Sequence, residues 1–211
     1  MKRVFLWTLL MASTAGMFSA AQQKPAAKSS EPTGSKGSQA TAGAPHNQAL
    51  VREALSAAPP EIAKIATVKD WDGNVLRPGS GGYTCYPTPP MMKKMGKEPM
   101  CLDKVWEAWG DAWKNHKDFT AQGVGIAYML EGDTGASNTD PFATSKAGAK
   151  DWVVSGPHTM VVVPDKSALD AVPTDPNNGG PWVMWKGTPY AHIMVPVGKK
   201  PAGGSSHRAA Q

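Results

Sequence analysis

A chain of 211 residues with 41% apolar and 18% charged side chains has enough apolar matter for one ordinary core. Its formal charge of +5 comes from the ends: between Ala49 and Val197, 14 Lys and Arg face 16 Asp and Glu. The central part is near neutral, which argues against a nucleic-acid-binding domain with its clustered basic face.

The first 21 residues read as an export signal. Lys2 and Arg3 precede a short apolar run, Val4 to Met11, and Ser19-Ala20-Ala21 satisfies the small-x-small cleavage rule. The run falls short of the roughly 18 residues needed to span a bilayer. This predicts a mature chain without a transmembrane segment, in the periplasm or secreted. Residues 22–48 and 198–211 are rich in Ala, Gly, Ser, Lys and Pro and read as a disordered linker and tail. The globular domain is expected over 49–197.

Asn47 can cap a short helix whose apolar residues, Leu50, Val51, Ala54, Leu55 and Ala58, fall at helical spacing before Pro59-Pro60. Ile62 to Trp71 alternates as a strand, and Asp72-Gly73 turns it into a hairpin with Asn74-Val75-Leu76. The same Asp70-x-Asp72-Gly73-Asn74 run imitates the start of a calcium loop. It fails at the twelfth position, where Gly81 stands in place of Glu. Tyr83 to Tyr86 is a short strand, and Pro87 to Pro99 an irregular excursion. Cys85 and Cys101, the only cysteines, read in an exported chain as a disulfide. The alternative is a pair of reduced metal ligands, at a spacing much longer than Cys-x-x-Cys.

The principal helix is predicted over Leu102–His116, where Leu102, Val105, Trp106, Trp109, Ala112 and Trp113 recur in steps of three and four. Its Trp face reads as core, with a sugar-stacking platform as the alternative. Val124 to Leu130 is a further strand, with Gly123 and Gly125 signalling close backbone approach or a bulge. Residues 131–150 form a long polar loop, either functional or merely solvated. Trp152–Ser155 and His158–Val163 are strand material, and Asp165 caps a short helical turn through Leu169. Trp182–Trp185 and Tyr190–Val195 form a hairpin, with Pro196 placing the last strand at an edge or ending it. The fold class is therefore α+β: a mainly antiparallel sheet packed against one principal amphipathic helix, with one disulfide.

The chemistry-bearing candidates repeat. His158-Thr159-Met160 and His192-Ile193-Met194 each open an apolar strand, and residues two apart share a face. If the strands are neighbours, His158, Met160, His192 and Met194 can converge. Imidazole and thioether form a soft donor set suited to Cu(I). These tripeptides resemble elements of periplasmic copper chaperones of the cupredoxin-like type, which implies copper handling outside the cytoplasm. The likeness covers only the two tripeptides, and that family's His-Met dipeptide has no counterpart here. Met100-Cys101-Leu102-Asp103, Ser137-Asn138-Thr139-Asp140-Pro141-Phe142, Gly156-Pro157-His158 and Gly187-Thr188-Pro189-Tyr190 resemble uncharacterised small exported bacterial proteins. That resemblance implies no activity.

Two other readings use the same residues. An enzyme would employ His158 and His192 as acid and base, or join them to Asp140 in a two-His, one-carboxylate metal site. A non-catalytic module would bind an envelope protein or small ligand through the 131–150 loop or the Met-rich excursion. Met91, Met92, Met95 and Met100 would be accessory Cu(I) donors there, set among Lys93, Lys94 and Lys97.

Overall fold

The computed structural model describes residues 45–199. The expected export signal, most of the linker and most of the tail lie outside them. Residues 45–48, expected in the linker, open the first helix, α1 (Pro45–Leu55). Then come α2 (Pro60–Ile65), β1 (Thr67–Lys69), β2 (Val75–Arg77), β3 (Tyr83–Tyr86), β4 (Met100–Asp103), α3 (Lys104–Lys114) and β5 (Gly125–Met129). After these follow β6 (Ala136–Ser137), β7 (Trp152–Val153), β8 (His158–Val162), β9 (Trp182–Met184) and β10 (His192–Pro196). Short 3-10 turns occupy Lys146–Gly148 and Lys166–Ala171.

Eight strands form one sheet in the order β2-β1-β3-β4-β5-β8-β10-β9, and β6 pairs with β7 separately. All neighbouring pairs are antiparallel except β1–β3. The α+β class, the mainly antiparallel sheet and the Cys85–Cys101 disulfide all stand. The two cysteines face each other directly across β3 and β4.

Two local expectations change, and the choice left open at Pro196 is decided. Ile62–Ile65 is helix, not strand: Pro60 at its first position has φ preset for a helical start, and Glu61 lies in its first turn. The strand is only Thr67–Lys69. Leu102 belongs to β4, because Asp103 is the N-cap of α3 and accepts from Trp106 N at 2.9 Å. β10 lies between β8 and β9, so Pro196 ends an interior strand and does not mark an edge. The Asp72-Gly73 hairpin forms as expected. Asp70 uses its carboxylate on Asp72 N, Asn74 N and Asn74 Nδ2, and its pKa is lowered chiefly by the Asn74 side chain.

Period-two alternation divides the core between the two faces of the sheet. On the inner face, Ala127, Met129, Met160, Val162, Met184 and Met194 meet Trp106 and Trp109 of α3. Gly125 permits this contact, since a Cβ there would stand 2.8 Å from both Val105 and Val162. No such crowding exists at Gly123. On the outer face, α1 and α2 cover β1, β3 and β4 with small residues: Ala54, Ala57, Ala58, Ala66, Val68 and the two cysteines. At the far end of that face Leu169 packs on Val183 and Ala191.

Candidate functional site

The two His-x-Met motifs lie on adjacent strands of opposite direction. The register pairs Met194 with Met160, Ile193 with Val161 and Pro196 with His158. All four motif side chains share the inner face and are buried, with His158 1% and His192 2% exposed. Antiparallel pairing brings the two thioethers opposite each other and sends the imidazoles to opposite ends. Four residues of strand separate the level of His158 from that of His192, roughly 14 Å along the strands. In this register the two imidazoles are not cross-strand neighbours, although the charge of His158 still acts on His192. Each histidine has its own surroundings.

At one end, His158 Nδ1 lies 2.7 Å from Gly156 O. A carbonyl only accepts, so Nδ1 carries the hydrogen and Nε2 presents its lone pair. That Nε2 is buried and has no hydrogen-bond partner among the described residues. Met129 is its direct cross-strand neighbour on β5. Burial lowers the pKa of His158, while the Gly156 carbonyl and the nearby Glu98 carboxylate act against this. Glu98 is itself raised by burial, opposed by hydrogen bonds from the hydroxyl and the amide of Thr134. Ser155 Oγ, three residues before His158, is also buried without a partner among the described residues.

At the other end, His192 repeats the same local bond. Its Nδ1 lies 2.9 Å from Tyr190 O, again the carbonyl two residues earlier. Three indoles surround the ring edge-on: Trp106, Trp109 and Trp185, with centroids 5.2–5.6 Å away. Burial pulls this imidazole down to about 4, and the His158 charge adds to the effect. Met184 is its cross-strand neighbour on β9.

Between the two ends the face is lined by thioethers: Met129, Met160, Met184 and Met194. Sequence reasoning did not place Met129 and Met184 on this face. Their signal was present, because each sits at an inward position of an alternating strand, but it emerges only once strand order is known.

The other candidates lie apart. Asp140 is exposed on the loop after β6, where it accepts from Phe142 N at 2.9 Å. Among the described residues no three His, Cys, Asp or Glu side chains gather as metal ligands, so Asp140 does not complete a two-His, one-carboxylate site. The centre of the 131–150 loop is tied into the fold. Asn138 Oδ1 accepts from Trp182 Nε1, Ser137 O accepts from Trp185 Nε1, and Asn138 O accepts from Trp185 N. Trp185 adopts φ 57, a left-handed conformation costly for a bulky residue, and these bonds hold it there. The Trp face of α3 is mostly core: Trp106 and Trp109 are buried, while Trp113 at its end is 37% exposed. An open cleft of about 730 Å³ is lined by Phe119, Leu169, Lys166 and Lys186 among others. Lys186 pairs with Asp170 there at 3.1 Å, and Lys166 Nζ is engaged by the carbonyls of Thr188 and Pro189. No family model, no curated protein and no solved structure matches the chain.

Proposed function

We propose that this protein is an exported, non-catalytic binding module whose inner sheet face takes a soft monovalent metal, Cu(I). The observation that carries the reading is the His158 Nε2 lone pair. It is buried and unpartnered among the described residues, on a face where Met129 and Met160 are its neighbours and Met194 stands opposite Met160. A fixed Nδ1–H bond to a carbonyl is the usual way a protein orients a ligating imidazole. Neutral imidazole and thioether suit Cu(I) and not the hard cations that need oxygen. The Glu98 carboxyl nearby favours positive charge at that end. His192, boxed by indoles, serves the second end of the face or acts as core.

The test is a Cu(I) titration of the purified protein against a competing chelator, with ascorbate as the reductant so that the disulfide survives. About one equivalent should bind. Met160→Leu with Met194→Leu conserves volume and should cost under ~1.5 kcal/mol of stability for each change. It should nonetheless lower metal affinity by at least about tenfold, the scale of losing even an outer-shell partner. Absence of uptake by the unaltered protein, or uptake indifferent to both changes, would sink the proposal.

A further inference from the structure

The excursion between β3 and β4 has a fixed stem and an open tip. At the stem, Trp71 Nε1 donates to Pro87 O at 2.7 Å, Thr88 N donates to Glu53 Oε1 at 3.1 Å, and Glu98 N donates to Thr88 Oγ1 at 2.8 Å. The Cys85–Cys101 bond closes the stem just outside these. The tip is a compact turn: Met92 N donates to Pro89 O, and Met95 N to Met92 O. It nevertheless holds the most exposed large apolar side chain described, Met91 at 83%, and Met95 at 58%. Exposed apolar side chains that are grouped on one projection, unlike ones scattered singly, are a mark of interaction sites.

The charge around them names the partner. From Pro87 to Lys97 there are three lysines and no acid. Lys97 pairs loosely with Glu131 at 3.7 Å, while Lys93 and Lys94 have no carboxylate partner among the described residues. Lysines this close repel a metal ion that the thioethers alone would accept. They complement an anionic surface, and exposed apolar side chains interspersed with lysine are the composition of interfacial anchors. We propose that the 89–97 tip docks on an anionic lipid surface. Met91 and Met95 enter the headgroup boundary, and Lys93, Lys94 and Lys97 meet lipid phosphates. This docking is independent of the metal reading.

The experiment is co-sedimentation of the exported chain, purified without detergent, with phosphatidylcholine vesicles and with vesicles carrying about a third phosphatidylglycerol, at roughly 0.05 M and 0.5 M salt. The protein should sediment with the anionic vesicles at low salt and be released at high salt. Lys93→Glu with Lys94→Glu, and separately Met91→Ser with Met95→Ser, should each lower the bound fraction about tenfold or more. Unchanged thermal melts would show that these surface variants fold. The proposal is overturned if the chain stays in solution, if it binds neutral and anionic vesicles alike, or if binding survives both pairs of changes. Ag(I) uptake that depends on Met91 and Met95, with vesicles ignored, would likewise overturn it and assign the thioethers to metal.

Discussion

His192 is the residue whose burial has the most measurable consequence. Its imidazole titrates at about 4 in the folded chain, against ~6.5 when unfolded. Because the folded value is depressed, its contribution is fully present above pH ~6.5. As pH falls from ~6.5 towards 4, the unfolded chain binds a proton that the native ring refuses. Stability drops by about 1.4 kcal/mol per pH unit, up to ~3 kcal/mol by pH 4. His158 is shifted in the same direction and steepens the fall. Glu98 acts with the opposite sign, since a raised carboxyl favours the folded state on the acid side and loses that contribution as pH rises through its folded value. Comparing a variant with the parent isolates one group. In His192→Gln, urea melts at pH 7 and 4.5 should differ by about one proton's worth less than in the parent. An unchanged pH slope would show that His192 does not resist protonation. At this scale the sequence was legible in part. Period two identified which residues share a face, but not that antiparallel register would part the imidazoles and bring the thioethers together.

Among the elements, the junction of β4 and α3 shows both what local sequence can say and where it stops. The apolar steps from Val105 to Trp113 mark the helix, yet Leu102 fits the same spacing and belongs to the strand. The deciding residue is Asp103. Its Oδ1 caps Trp106 N at 2.9 Å, and its Oδ2 accepts from Ile126 N on β5 at 2.6 Å. One carboxylate thus ends a strand, starts a helix and fastens both to the next strand. Asp103→Ala should cost about 2–4 kcal/mol, the sum of a lost cap and an unpaired, half-buried amide. Asp103→Asn keeps one accepting oxygen and should lose about half as much. Equal stability of the Asn and Asp forms in urea melts would show that only one of the two bonds matters. The second bond was not readable from sequence, because its partner lies 23 residues away. The same limit hid α2, where Ile62–Ile65 satisfy both a strand and a helix reading. It also hid β6 and its pairing with β7, a two-residue ladder too short to carry a period, although Trp152–Val153 itself reads as strand. Longer elements such as β5, β8 and β10 were legible because alternation persists across five residues.

Among the described residues, the two larger cores are of unlike material and lie on opposite faces of one sheet. The inner one is built from Trp and Met, with large areas removed from water and each buried Trp contributing a few kcal/mol. The outer one under α1 and α2 is built from alanines, Val68 and the cysteines, with Cys101 Sγ packed 3.6 Å from Ala54 O. Small side chains contribute little area, so this end relies on the Cys85–Cys101 bond far more than the other. Cross-linking residues 16 apart removes about 3 kcal/mol of unfolded-state freedom in the chain-entropy model. The loss on reduction should therefore be uneven. In Cys85→Ser with Cys101→Ser, global stability should fall by about 2–4 kcal/mol. Amide exchange should accelerate most at Ala57, Ala66 and Val68, where local opening then needs little energy. The amides of Met160, Val162 and Met194, under α3, should keep most of their protection. The Met-lined face would then persist while the α1–α2 end frays, and the metal uptake proposed for it would survive the loss of the disulfide. Uniform acceleration across both sets would mean that the two cores open as one cooperative unit, with β4 and β5 transmitting the loss from one face to the other.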